Sequence, residues 1–308
     1  MKKLMLVLFA TTACVVGLSA CTSPTPTSEI EITQNEEEGK ETVMVGDVDK
    51  KVILVVSFGT SYNDTREATI DAIENKVAEE FSDYEVRRAF TSQIIINKLA
   101  ERDGLVIDNV TEAMERLVSD GVGTLVIQPT HVMHGFEYND MVEETSVFAE
   151  NFASFKYGSP LLSSTEDYEK VVNAIIEEYN VPEDTALVLM GHGTHHFANS
   201  TYSALDYMFK DMGYENVFVG TVEGYPEFDS VLKWVNNGEY NKVVLAPLMV
   251  VAGDHASNDM AGDEDDSWKV MFKSEGKEVE TILKGLGEIV AIQQIYVEHI
   301  EEAIGREE

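Results

Sequence analysis

Cysteine is nearly absent. The 308 residues contain two, Cys14 and Cys21, both close to the amino terminus. Everything after them lacks an internal disulfide and has no thiolate to offer a metal, which excludes a Cys-built structural zinc site. Basic residues are also scarce, 22 Lys and Arg against 56 Asp and Glu, for a net charge of −34. Nucleic-acid phosphates are held by basic patches, so no nucleic-acid partner is expected. A field of this sign attracts cations, although it also serves simply to keep a surface soluble. Long apolar runs are lacking too: Leu4 to Leu18 is shorter than the ~20 residues of a membrane span.

That run follows Lys2 and Lys3 and ends in Leu18-Ser19-Ala20-Cys21, which resembles the bacterial lipobox. Residues 1–21 are therefore expected to be a lipoprotein signal peptide. The resemblance implies cleavage before Cys21 and a lipid on its thiol, placing the protein outside the cytoplasm, anchored to a bacterial membrane. Loss of two lysines would take the charge from −34 to −34 − 2 = −36. Residues 22–50, rich in Thr, Pro, Ser and Glu without apolar periodicity, read as a disordered acidic tether.

From Lys51 strand and helix signals alternate. Val52–Val56 is a continuous β-branched run of the kind buried in parallel sheets. A helix starting at Asp64 with Ile70, Ile73, Val77 and Phe81 on its apolar side follows, then a strand at Glu85–Phe90. Helices at Ile94–Arg102 and Val110–Ser119, a strand at Thr124–Gln128 and a helix at Tyr138–Phe152 complete a first cycle. The second has strands at Ala186–Met190, Val217–Gly220 and Val243–Leu248, with helices at Ala198–Met212, Glu227–Val235 and Glu288–Ala303. This order predicts an α/β fold. The expected lobes are residues 51–180 and 181–308.

The halves look like copies. Ser57-Phe58-Gly59-Thr60-Ser61 matches Gly191-His192-Gly193-Thr194-His195. Pro129, Gly135 and Asn139-Asp140-Met141 match Pro247, Gly253 and Asn258-Asp259-Met260, with Pro and Gly six residues apart in each half. Two similar doubly wound lobes, their parallel strands ending around a central cleft, would put a ligand where such folds bind one.

The chemistry-bearing residues cluster at those strand ends. His192 lies in Gly191-His192-Gly193, His255 in Gly253-Asp254-His255-Ala256, Glu223 in Thr221-Val222-Glu223-Gly224, and Glu137, in Gly135-Phe136-Glu137, matches His255 in the first half. Two imidazoles and a carboxylate suit cobalt, nickel, zinc or iron(II), and without Cys they form an open site rather than a closed structural one. Asp254 is the expected orienting partner of His255. His131 and His134 sit in a loop of the first half and are open as haem or second-metal ligands. His195 and His196 follow the Gly-His-Gly turn, and capping of the next helix is their expected role. Asp263-Glu264-Asp265-Asp266 reads as a solvated face. Arg66, Arg87 and Arg88 are candidate partners for substrate carboxylates.

From Lys51 onward the chain resembles the anaerobic sirohydrochlorin cobaltochelatases of cobalamin synthesis, the CbiK-type class II chelatases. The motifs are Val55-Val56-Ser57-Phe58-Gly59-Thr60-Ser61, Met190-Gly191-His192-Gly193-Thr194, Gly220-Thr221-Val222-Glu223-Gly224 and Pro247-Leu248-Met249-Val250-Val251-Ala252-Gly253-Asp254-His255-Ala256. The resemblance implies the chelatase fold, insertion of cobalt(II) into a tetrapyrrole with release of two protons, and His192, Glu223 and His255 as metal ligands. It also puts Glu137 where the family has another carboxylate facing the cleft. Because metal insertion must release two protons, His192, His255 and Glu137 are the candidate catalytic groups, and Phe58, Thr60, Arg88 and His134 are candidates for binding the ring. Nickel or iron(II) in place of cobalt, haem as ligand, and a homo-oligomer stay open. Because tetrapyrrole synthesis is normally cytoplasmic, the export signal favours a second reading beside the first, a haem- or metal-binding lipoprotein serving uptake of tetrapyrrole, cobalt or nickel.

Overall fold

A computed structural model of the chain describes residues 45–305, all within one compact unit, Val43–Glu308. Cys21, the signal peptide and all but the end of the expected tether lie outside the described residues. The first lobe comprises β1 (Asp47–Ser57), α1 (Asn63–Ala68), α2 (Ile70–Glu80), β2 (Glu85–Phe90), α3 (Gln93–Asp103), α4 (Val110–Ser119), β3 (Val122–Pro129), α5 (Phe136–Ser146), β4 (Ser154–Tyr157) and α6 (Thr165–Tyr179). The second comprises β5 (Thr185–Gly191), α7 (Ser200–Asp211), β6 (Val217–Thr221), α8 (Phe228–Asn237), β7 (Lys242–Pro247), α9 (Trp268–Ser274) and β8 (Glu278–Thr281), and α10 (Val290–Ile304) ends the fold.

Both sheets are parallel and four-stranded, in the orders β2-β1-β3-β4 and β6-β5-β7-β8. The duplication reaches the hydrogen bonds. Val56 is in register with Pro129 as Met190 is with Pro247. Thr91 N–H donates to the Ser57 carbonyl at 2.9 Å, and Val222 N–H to that of Gly191 at 3.0 Å. Ser92 N–H donates to the Phe58 carbonyl at 3.2 Å, and Glu223 N–H to that of His192 at 2.8 Å.

The continuous apolar strands are covered on both faces, as the absence of alternation requires. Ile53 and Val55 of β1 and Leu187 and Leu189 of β5 share one cluster with residues of α2, α6, α7 and α10. Val52, Leu54 and Val56 point the other way toward Val110, Ala113, Met114 and Leu117 of α4. Ala186, Val188 and Met190 do the same toward α8 and α9. One shared core thus joins the lobes.

Four expectations need correction. β1 begins at Asp47, paired with Val122, so the last residues assigned to the tether are strand. The second lobe does not run to the end of the chain: α10 returns to the first lobe and packs on α2, α6, β3 and β4. Ile292, Ile295, Tyr296 and Ile300 are buried there, and Tyr296 Oη donates to the Thr130 carbonyl at 2.8 Å. The helix expected to reach Phe152 stops at Ser146, where the Thr145 hydroxyl donates back to the Met141 carbonyl and meets Tyr157 Oη, both at 2.7 Å. Finally α6, α9, β4 and β8 had no counterpart in the expected order. No helix among the described residues is long and apolar enough to cross a membrane.

Candidate metal centre

The carboxyl-end loops of the two sheets meet. Tyr62, after β1, donates its hydroxyl to Asp254 Oδ1, after β7, at 3.2 Å. On another flank Asn139 of α5 lies 3.2 Å from His196 Nε2, and the Phe136 ring stands edge-on to the His196 ring at 4.8 Å.

In this region three side chains of the second lobe converge. His192, Glu223 and His255 each offer a ligand atom, and these atoms lie within 4.8 Å of one another. His192 and Glu223 are exposed and His255 is half-buried. Each comes from the end of a different strand, β5, β6 and β7. Local structure dictates the approach. β5 ends on Gly191, and Gly193 takes φ +85°, a conformation that costs glycine little. A Cβ on Gly193 would lie 2.4 Å from the Gly224 amide nitrogen, so only glycine lets the Glu223 turn come this close. The Glu223 N–H bond to the His192 carbonyl locks the two turns together.

The two imidazoles stand edge to face, centroids 4.7 Å apart, and their Nδ1 atoms have different partners. His192 Nδ1 is 2.8 Å from the Gly193 carbonyl, and His255 Nδ1 is 2.7 Å from Asp259 Oδ2. Both partners only accept, so each Nδ1 carries a proton, and in the neutral imidazole that leaves Nε2 to present the lone pair. Two neutral nitrogens and a carboxylate oxygen make an open donor set for a borderline divalent ion.

The structure places the other candidates elsewhere. Asp254 does not orient His255; it takes the Tyr62 hydroxyl and the Asn258 amide at 3.0 Å, and Asp259 holds the ring instead. The signal missed was the spacing of four between His255 and Asp259 on one helical turn. Glu137 stands exposed in the first turn of α5, outside the converging trio. Its charge nonetheless reaches His131 and Tyr202, and the Tyr202 hydroxyl accepts the Gly193 N–H at 3.3 Å.

His131 has both ring nitrogens shielded without a hydrogen-bond partner; burial pushes it down to about 4, against the pull of Glu137. His134 packs edge-on to Tyr138 at 4.6 Å, and burial, then the nearby His299, lower its pKa. Neither joins the trio. His196 accepts the Ala198 N–H at 3.2 Å, capping the short turn before α7.

Phe58, the first-lobe counterpart of His192, is exposed. Thr60 is buried and accepts the Tyr62 N–H at 3.2 Å, so it shapes the turn. Arg88 is not free for a substrate carboxylate: Glu74 and Asp71 hold its guanidinium above the Phe90 ring. Arg87 is likewise paired with Glu85 and Asp120. Arg66 donates to Asn63 Oδ1 at 2.7 Å. Asp263 to Asp266 form an exposed run.

Comparison with known proteins agrees with this architecture. The curated sirohydrochlorin cobaltochelatase of Salmonella typhimurium is 41% identical over 256 residues, covering 83% of this chain and 97% of that protein. The sirohydrochlorin cobaltochelatase CbiKC of Nitratidesulfovibrio vulgaris is 32% identical over 259 residues, covering 83% and 91%. Among solved structures, SirB from Bacillus subtilis with Fe3+ superposes with a TM-score of 0.58 at 13% identity, covering 82% of this chain and 95% of that one, a likeness of fold. The family model for cobalt chelatase (CbiK) matches residues 51–305, and the chain belongs to that family.

Proposed function

We propose that the protein is a sirohydrochlorin cobaltochelatase, which inserts cobalt(II) into the ring and releases two protons. The observation that carries this reading is the convergence of the His192, Glu223 and His255 ligand atoms within 4.8 Å at three strand ends. The metal is a substrate here: the donor set holds it on one side of the ring and then gives it up. An open set of two imidazoles and one carboxylate suits that better than a closed four-ligand cage. As pyrrole nitrogens take over the metal they shed protons. The lone pairs of His192 and His255 become free when the metal leaves, and Glu137 stands in the opposing lobe at the position matching His255.

The test is an absorbance assay with free sirohydrochlorin and cobalt(II), run beside nickel and iron(II). Turnover is expected with cobalt, and His192→Ala, Glu223→Ala and His255→Ala are each expected to reduce it by at least about 100-fold while circular dichroism stays native. Cobalt or ring binding without turnover would overturn the enzymatic reading in favour of a binding lipoprotein.

We further propose that the chelatase domain is exported and anchored through a lipid on Cys21. Support comes from Lys2, Lys3, the Leu4–Leu18 run and the Leu18-Ser19-Ala20-Cys21 motif, all ahead of the segment matched by the family, which starts at residue 51. Fractionation with metabolic lipid labelling tests this. Wild type should label and sediment with membranes, and Cys21→Ala should do neither.

A further inference from the structure

The two histidines of the trio are not supported alike. A neutral backbone carbonyl takes the His192 Nδ1 proton at 2.8 Å, whereas the carboxylate of Asp259 takes that of His255 at 2.7 Å. A carboxylate behind an imidazole fixes its tautomer and ring direction and makes the far nitrogen a stronger donor. Asp259 follows His255 by four residues on the turn formed by Ala256–Met260, so the contact is built into one short helical segment. Asp254 lies in the same segment but spends its carboxylate on Tyr62 and Asn258. Its side chain therefore supplies the same charge to the same turn without touching either imidazole through a hydrogen bond.

We propose that Asp259 is a positioning residue for cobalt capture: through His255 it makes that imidazole the firm ligand of the trio, while His192, backed by a carbonyl, is the weaker one. The proposal rests on the reading of His192, Glu223 and His255 as the cobalt-holding set. Asp259 would not touch cobalt or the ring. Its removal should weaken capture of the ion more than it slows insertion once the ion is bound.

The experiment uses the full chain and cobalt(II) alone, titrated by its visible absorption, followed by steady-state kinetics with sirohydrochlorin. Asp259→Asn is expected to weaken cobalt binding by about 10-fold or more and to raise KM for cobalt in proportion. It should raise KM for cobalt by more than it lowers kcat, and leave KM for the ring within about twofold, because Asp259 does not touch the ring. Asp254→Asn, which removes the same charge from the neighbouring position, should shift cobalt affinity by no more than about twofold. Equal effects from the two substitutions would overturn the proposal in favour of a general charge effect, and unchanged affinity in Asp259→Asn would overturn it outright. His255→Ala separates the two levels. If it leaves cobalt affinity unchanged, the metal-site reading itself fails; if it weakens binding while Asp259→Asn does not, only the role of Asp259 is lost.

Discussion

At Gly193 the backbone occupies the left-handed region, and a Cβ would meet both the Gly224 nitrogen and the Glu223 carbonyl carbon. Gly193→Ala should therefore cost at least about 2 kcal/mol of stability, from the unfavourable φ and the collision together. A larger effect is expected on cobalt affinity, because the substitution pushes the His192 and Glu223 turns apart. Urea denaturation and cobalt titration measure the two. Much of this was legible in the sequence: glycines flanking His192 directly after an apolar run mark a strand-end turn with an outward side chain. The partner of His255 was legible only in its spacing of four, which counts on a helical turn, and Gly253-Asp254-His255-Ala256-Ser257-Asn258-Asp259 has no apolar periodicity to announce one. Without that turn the adjacent Asp254 looked nearer than Asp259. The arginines misled for a related reason. Arg88 lies on β2, and only the packing of α2 shows that Asp71 and Glu74 reach it first.

Among the elements, α10 and α6 are joined by a buried polar contact. His299 Nδ1 is 2.9 Å from the Ser159 carbonyl and Nε2 is 3.0 Å from Asp167 Oδ1, with the two side chains 3% and 7% exposed. Asp167 also accepts the Ser163 and Ser164 N–H groups, at 3.2 and 2.7 Å, closing a capping box at the start of α6. Burial raises the Asp167 pKa, but His299 and the Ser164 bonds outweigh it and the net shift is downward. A carboxyl lowered in the folded state contributes stability above its unfolded pKa, near 3.8, and loses that contribution as pH falls through the lower folded value. Docking of α10 should accordingly weaken only in strong acid, below about pH 4, and hydrogen exchange of its amides should accelerate there. Asp167→Ala at pH 7 should destabilise by about 3 kcal/mol, since it strands a buried imidazole and removes a cap. Two of the missed elements, β4 and β8, are four-residue edge strands with little burial, too short and mixed to show a run. For α6 a readable signal did exist, Ser164 with Asp167 three residues later ahead of an apolar stripe.

The whole chain carries a net charge of −34, and the proposed metal site opens to solvent through His192 and Glu223. Cobalt(II) arriving at such a surface is drawn by long-range attraction that salt screens. Raising ionic strength from about 0.02 to about 0.3 M should slow cobalt association several-fold and leave dissociation nearly unchanged, which stopped-flow absorption would show. The fold is also less divisible than its duplication suggests, because α10 completes the first lobe from the far end of the chain. A chain truncated after Ile289 should expose the apolar faces that cover Ile295, Tyr296 and Ile300, and should fail to yield soluble, cooperatively unfolding protein.

The direction of β1 decides where any preceding segment joins the fold. The strand enters at Asp47 and delivers Phe58 to the meeting place of the lobes, so the two ends of its 11 residues are separated by about 33 Å. Whatever precedes residue 45 is attached at the remote end. If a lipid on Cys21 holds the molecule, the tether joins it at the end of β1 away from His192, so the tether need not pass across the side that would receive a bulky planar pigment.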